Sequence, residues 1–190
     1  MHIRILGMLV ICVLFTGCAA TTLGMHQPSA DAVISLRDSN LVPLNVGTFK
    51  LADGVKPDID HSITSRGNVL ESPDAHSFAL YLRDALLSDL KAAGKYDANS
   101  MLLIQGELLD SQLTTGMSQG SAVLAAHFSV TRGGQIVFDK QLHQESQWDS
   151  SFLGAVAIPA AFNNYAEQYG LLLQKLYADP EFRKACVASP

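Results

Sequence analysis

The chain has 190 residues, 48% of them hydrophobic, which is enough for one domain with a sizeable core. It carries 13 basic against 18 acidic residues, a formal net charge of −5, with no basic cluster. That balance argues against nucleic acid or anionic headgroups as main partners. Its three cysteines form neither a disulfide framework nor a zinc-ligand spacing.

The chain opens MHIRILGMLVICVLFTGC. Arg4 supplies a positive start, and Ile5 to Phe15 form an apolar run of eleven residues. This suits the core of a signal peptide and falls short of the roughly 20 residues that a spanning helix needs. The run ends Phe15-Thr16-Gly17-Cys18, which resembles the lipobox of bacterial lipoproteins, with Phe15 where Leu is commonest. In such proteins the cysteine is acylated and becomes the new N-terminus. On this reading residues 1–17 are a signal peptide, Cys18 is the lipid site and 18–30 are a flexible tether. Residues 31–190 then form a single soluble domain. Each buried acyl methylene contributes about 0.8 kcal/mol, so several acyl chains hold a protein firmly at a membrane surface. Ala19 and Ala20 stand where an Asp would retain the protein at the inner membrane. The expected location is the outer membrane, facing the periplasm, with the cell surface as the alternative. Cys12 leaves with the signal, and Cys186 is expected to be buried and inert.

Structure is expected to begin with a short edge strand, Ala32 to Leu36, followed by a second apolar run from Leu44 to Leu51. Residues 53–71 show no clear periodicity and read as a long loop, a feature usually functional or mobile in a compact domain. A helix follows, with Ser72 as cap, Pro73 in the first turn, Asp74 near the positive end of the dipole and Gly94 as stop. Its apolar face is Phe78, Leu82, Leu86 and Leu90. Met101 to Leu113 read as a strand, and Ser121 to Thr131 alternate with period two. Arg132-Gly133-Gly134-Gln135 is a hairpin signal leading into Ile136 to Trp148. A last helix starts near Pro159, with Phe162, Tyr165, Tyr169, Leu172, Leu173 and Leu176 on one face, and Asp179-Pro180 ends it. The order strand, helix, three strands, helix implies an α+β two-layer sandwich: a mainly antiparallel sheet of four to five strands with two helices on one face.

Gly116-Met117-Ser118-Gln119-Gly120 spells the G-x-S-x-G nucleophile elbow. That motif needs a strand, a sharp turn and a helix, but here a strand follows, so the segment reads as a hairpin turn. Asp139 and His143 have the order of triad partners yet lie four apart on one strand. A small serine hydrolase using Ser118 is therefore the alternative and not the leading expectation. Asp58-Ile59-Asp60-His61 resembles the start of a calcium loop but stops at Ser62, so no metal is expected. No phosphate loop and no CxxC are present, so no cofactor is expected.

Several segments together resemble a family of small proteobacterial lipoproteins without an assigned activity. They are Ser65-Arg66-Gly67, Ser77 to Leu86, Asp89 to Gly94, Trp148 to Gly154, Ala161 to Asn164 and Asp179 to Phe182. The likeness spans about residues 42–186. The layout is also similar, more distantly, to lipoproteins of the YajG type and to the auxiliary lipoproteins of ABC-type transporters. These resemblances imply a non-enzymatic component of binding, assembly or transport, held to the membrane by its lipid and contacting another envelope protein. The contact is expected in the 53–71 loop, at Asp58, Asp60 and Arg66, or at an open sheet edge. A carrier of a lipid or other apolar ligand is a further alternative.

Overall fold

The computed structural model describes residues 20–73 and 76–188; the signal run, Cys18 and Asp74 lie outside them. Its centre is a four-stranded sheet of β2 (Asn45–Leu51), β5 (Leu102–Thr115), β6 (Gln119–Arg132) and β7 (Gln135–Asp149), side by side in that order. β5, β6 and β7 form the expected antiparallel meander, and β2 joins β5 in parallel. The period-two pattern of β6 does what it promised: Ala122, Leu124, Ala126, Phe128 and Val130 are buried, and their neighbours face outward. At Arg132–Gln135 both central glycines have positive φ, 57° and 88°, the backbone that a two-residue hairpin requires. Gly106 is open for a different reason. A Cβ there would lie 2.3 Å from the ring of Phe49, which crosses it from β2.

Two helices, α3 (Phe78–Ala92) and α4 (Gly154–Ala178), cover one face of this sheet and bury its inner side chains, so the fold is an α+β sandwich. α3 begins five residues later than Ser72-Pro73 suggested. Ser72 and Pro73 follow directly on a paired strand, and Ser77 is the true cap, accepting from the Leu80 amide at 3.2 Å. Gly94, at φ 70°, ends the helix as expected. α4 starts at Gly154, five residues before Pro159, so the proline sits inside the helix and leaves the Ala155 carbonyl without its i+4 amide. Asp179 then stops α4 and caps a short α5 (Pro180–Ala185), accepting from the Glu181 and Phe182 amides. Phe182 packs edge-on against Phe138, and Cys186 is buried beside it at the end of the fold.

Three expectations are corrected. Ala32 to Leu36 is not a strand but lies in helix α1 (Ala30–Arg37), capped by Ser29. Its buried pair is Ala32 and Leu36, one helical turn apart, while Ile34 is exposed. The 53–71 stretch is not an irregular loop. It contains α2 (Asp58–His61) and a hairpin of β3 (Ser62–Ser65) and β4 (Asn68–Glu71), turned by Arg66 and Gly67 at φ 48° and 77°. Third, residues 20–29, expected to belong to a flexible tether, are docked on the domain. β1 (Ala20–Thr22) pairs in parallel with β4 and completes a second, three-stranded sheet, and Leu23 is buried.

Candidate functional site

The docked segment 20–29 roofs a cleft of about 510 Å3 above α3 and α4, with α1 at one side. Leu70, Tyr81, Phe162 and Ala166 give it an apolar floor, and Gln27, Asn163 and Gln174 bring amides to the rim. Its deepest polar group is Asp89 of α3, only 1% exposed. His26 Nε2 lies 2.9 Å from one carboxylate oxygen of Asp89, and the Tyr177 hydroxyl donates to the other at 2.9 Å. Tyr81 donates to the Gly24 carbonyl at 3.0 Å. A buried carboxylate is costly unless its oxygens are paired, and here both are paired, one by the roof and one by α4. Burial lifts the Tyr177 hydroxyl well above its ordinary pKa, and the Asp89 carboxylate beside it adds to the shift. Tyr177 therefore stays a neutral donor. The geometry makes Asp89 the post to which the N-terminal segment is tied.

A second buried chain crosses from β5 to α4: Ser111 Oγ lies 2.6 Å from the Tyr165 hydroxyl, itself 2.7 Å from that of Tyr169. The Tyr169 ring stands edge-on to Tyr81, with centroids 4.8 Å apart. Burial also raises the pKa of both Tyr165 and Tyr169. This chain ties α4 to β5 beneath the cleft.

The three loop residues expected to meet a partner are not brought together. Asp58 is exposed at the start of α2. Asp60 is buried and accepts from the Ala79 amide at 2.7 Å, satisfying a free donor in the first turn of α3. Arg66 lies at the far end of β3, about 13 Å along the strand from α2. Its guanidinium donates to the carbonyls of Thr115 and Ser151 at 3.0 and 3.1 Å, and also to those of Gly116 and Phe152. Arg66 thus clamps the β5–β6 hairpin to the link between β7 and α4. Asp60 and Arg66 both serve internal contacts.

Ser118 lies in the β5–β6 hairpin, where the Gly116 amide donates to the Gln119 carbonyl at 2.9 Å and a strand follows. His143 pairs with Ala125 and Asp139 with Ser129, about 17 and 30 Å along the sheet from Gly120. Asp139 instead lies 2.8 Å from His127, and His143 lies 3.8 Å from Glu145. The elbow is a turn, and its supposed partners are out of reach. Among the described residues no group of three His, Cys, Asp or Glu side chains is placed to hold a metal ion, and no helix there is long and apolar enough to cross a membrane. Sequence reasoning missed His26 and Asp89. Asp89 was readable as an acidic residue off the main α3 stripe, but nothing local marked it as buried.

No protein-family model matches the chain, and no curated protein matches it in sequence. Among solved structures it resembles a Xanthomonas campestris protein assigned to DUF330, at 15% identity and TM-score 0.55. That match covers 84% of this chain and 95% of the other. A minor lipoprotein from Acinetobacter baumannii is also similar, at 16% identity, covering 79% and 99% of the two chains, with a TM-score of 0.45. The first likeness defines a shared fold. The second is too loose for any argument, and neither lends weight to the YajG-type resemblance.

Proposed function

We propose that the chain is a lipid-anchored, non-enzymatic binding component of the bacterial envelope. It is attached through Cys18 to the outer membrane, faces the periplasm and contacts another envelope protein through the cleft under residues 20–29. The observation that carries this reading is that the ionisable groups beneath the cleft are already paired. Asp89, His26 and Tyr177 are satisfied by one another and hold the roof in place. That leaves a formed groove with an apolar floor, and with amides and the exposed Glu167 carboxylate lining it. Such a lining suits a peptide segment, which presents side chains and amides together, whereas a bare acyl chain would dehydrate the rim amides without replacing their hydrogen bonds. The lipobox-like end at Cys18 supports the anchor, and Asp58 offers a second, exposed contact.

The test is photo-crosslinking in cells, with a reactive residue placed at Leu171 or Gln174 on the cleft, at Asp58, or at Ile136 on the far end of the sheet. Adducts to one protein from the cleft positions, and none from Ile136, are expected. Equal or absent adducts at all positions would refute the cleft as the contact. Organic extraction with mass spectrometry identifies the competing case, a lipid bound in the groove.

A further inference from the structure

Arg66 gathers three connections at one end of the molecule: the β3–β4 turn, the β5–β6 hairpin and the β7–α4 link. The side chains carried there are unusual for a water-facing loop cluster. Met117 is 71% exposed, Phe152 75%, Leu153 63% and Val156 58%. Single exposed apolar residues are ordinary, but four large ones gathered at one end mark a contact surface. The two segments that carry them, 114–121 and 149–156, hold one carboxylate, Asp149, and no cation. The Arg66 charge beside them is already engaged with main-chain carbonyls.

The path of the N-terminus says what this surface faces. β1 runs parallel to β4, with Ala20 opposite Val69, so the chain preceding Ala20 heads toward the Arg66–Gly67 turn. Cys18 is two residues earlier, a reach of at most about 7 Å even for a fully extended chain. A lipid carried on Cys18 would therefore lie within that reach of Ala20, on the side of the Arg66–Gly67 turn.

We propose that this end is a membrane seat: with the Cys18 lipid inserted, Met117, Phe152, Leu153 and Val156 rest in the interfacial zone of the same leaflet. The proposal depends on the lipid-anchor reading above. It also adds an orientation, because a seated domain holds its cleft at a fixed angle to the membrane. The near absence of charge makes apolar burial the driving force, so the seating resists salt.

The full-length protein, purified from membranes and reconstituted into phosphatidylethanolamine–phosphatidylglycerol vesicles doped with brominated phosphatidylcholine, tests it. Phe152→Trp places a fluorophore in the seat and Ile136→Trp places one at the opposite end of the sheet. Interfacial side chains enter the headgroup and acyl boundary, so bromine quenching of the added signal is expected to be roughly threefold greater for Phe152→Trp. The quenching should persist in molar salt. Met117→Trp should also be quenched, and should lose that quenching when combined with Phe152→Asp and Leu153→Asp while the protein still floats with vesicles. Equal quenching at both ends in an acylated, vesicle-bound protein would overturn the seat and leave the anchor standing, which is also the outcome expected if the patch docks a protein. An intact mass without acyl chains on Cys18 would overturn the anchor and the seat together.

Discussion

Replacing Asp89 by Ala tests the post beneath the cleft. The substitution removes two hydrogen bonds from a buried carboxylate, His26 at 2.9 Å and the Tyr177 hydroxyl at 2.9 Å. Bonds to a charged group contribute about 1.5–3 kcal/mol each, and the carboxylate's own burial penalty offsets part of that when it is removed. The two partners then fare differently. The His26 side chain is 11% exposed and can regain water, but Tyr177 is only 2% exposed and its hydroxyl is stranded, at about 1–3 kcal/mol. A net loss of about 3 kcal/mol is expected, a large share of the roughly 5–15 kcal/mol typical of a domain. The assay is urea unfolding followed by the fluorescence of Trp148, the single tryptophan. With Asp89 already Ala, Tyr177→Phe should be neutral or restore about 1–2 kcal/mol, since it removes the stranded hydroxyl. Thermolysin should also cut the 20–29 segment faster in Asp89→Ala. A loss under about 1 kcal/mol, or strict additivity of the two substitutions, would refute the account of the post.

Other outcomes follow from single contacts. Gly106→Ala drives a Cβ to within 2.3 Å of the Phe49 ring, and such overpacking should cost about 1–3 kcal/mol in the same urea assay; Gly47→Ala, whose nearest neighbours at 3.0 Å are side-chain atoms of Gln105 and Leu103, should cost less. Stability should fall in alkali. Tyr165, Tyr169 and Tyr177 are lifted above their ordinary 10.0 chiefly by burial, and the buried Cys186 thiol is pushed up to about 12 from 9.0. The unfolded chain loses these protons first, so their contribution is complete below about pH 9 and is lost as pH rises, by up to ~1.4 kcal/mol per pH unit for each group. A urea midpoint that stays flat into strong alkali would contradict their burial. Arg66→Lys should loosen the hairpin clamp almost as much as Arg66→Ala, because an ammonium cannot span the carbonyls of Thr115 and Ser151, and faster amide exchange at residues 115–120 reads this out. A serine-reactive phosphonate should leave the protein unlabelled, and labelling lost in Ser118→Ala would reverse the reading of that turn.

Amphipathic periodicity long enough to declare itself was legible in the sequence. β6 alternates over many residues, α3 repeats Phe78, Leu82, Leu86 and Leu90, and the glycine pair at 133–134 fits a two-residue hairpin. These patterns are local, because a helix or strand buries one face wherever its neighbours happen to lie. They gave the sandwich, the meander and the rejection of the elbow at Ser118. The short elements were hidden for the converse reason. β3 and β4 have four residues each, and their only buried apolar side chains are Ile63 and Leu70, too few for any hydrophobic period to show. Their sheet is completed by β1, forty-eight positions before β4. α1 looked extended because Ala32, Ile34 and Leu36 alternate, and only packing shows that Ile34 faces outward. The same holds for the candidate sites. Asp89 becomes a post only when His26, 63 residues earlier, and Tyr177, 88 residues later, converge on it. Arg66 becomes a clamp only where three loops meet. The lipobox-like end needed no structure, since it is read as linear sequence. Which end of the domain lies beside it depends on the pairing of Ala20 with Val69, a long-range contact that no local pattern encodes.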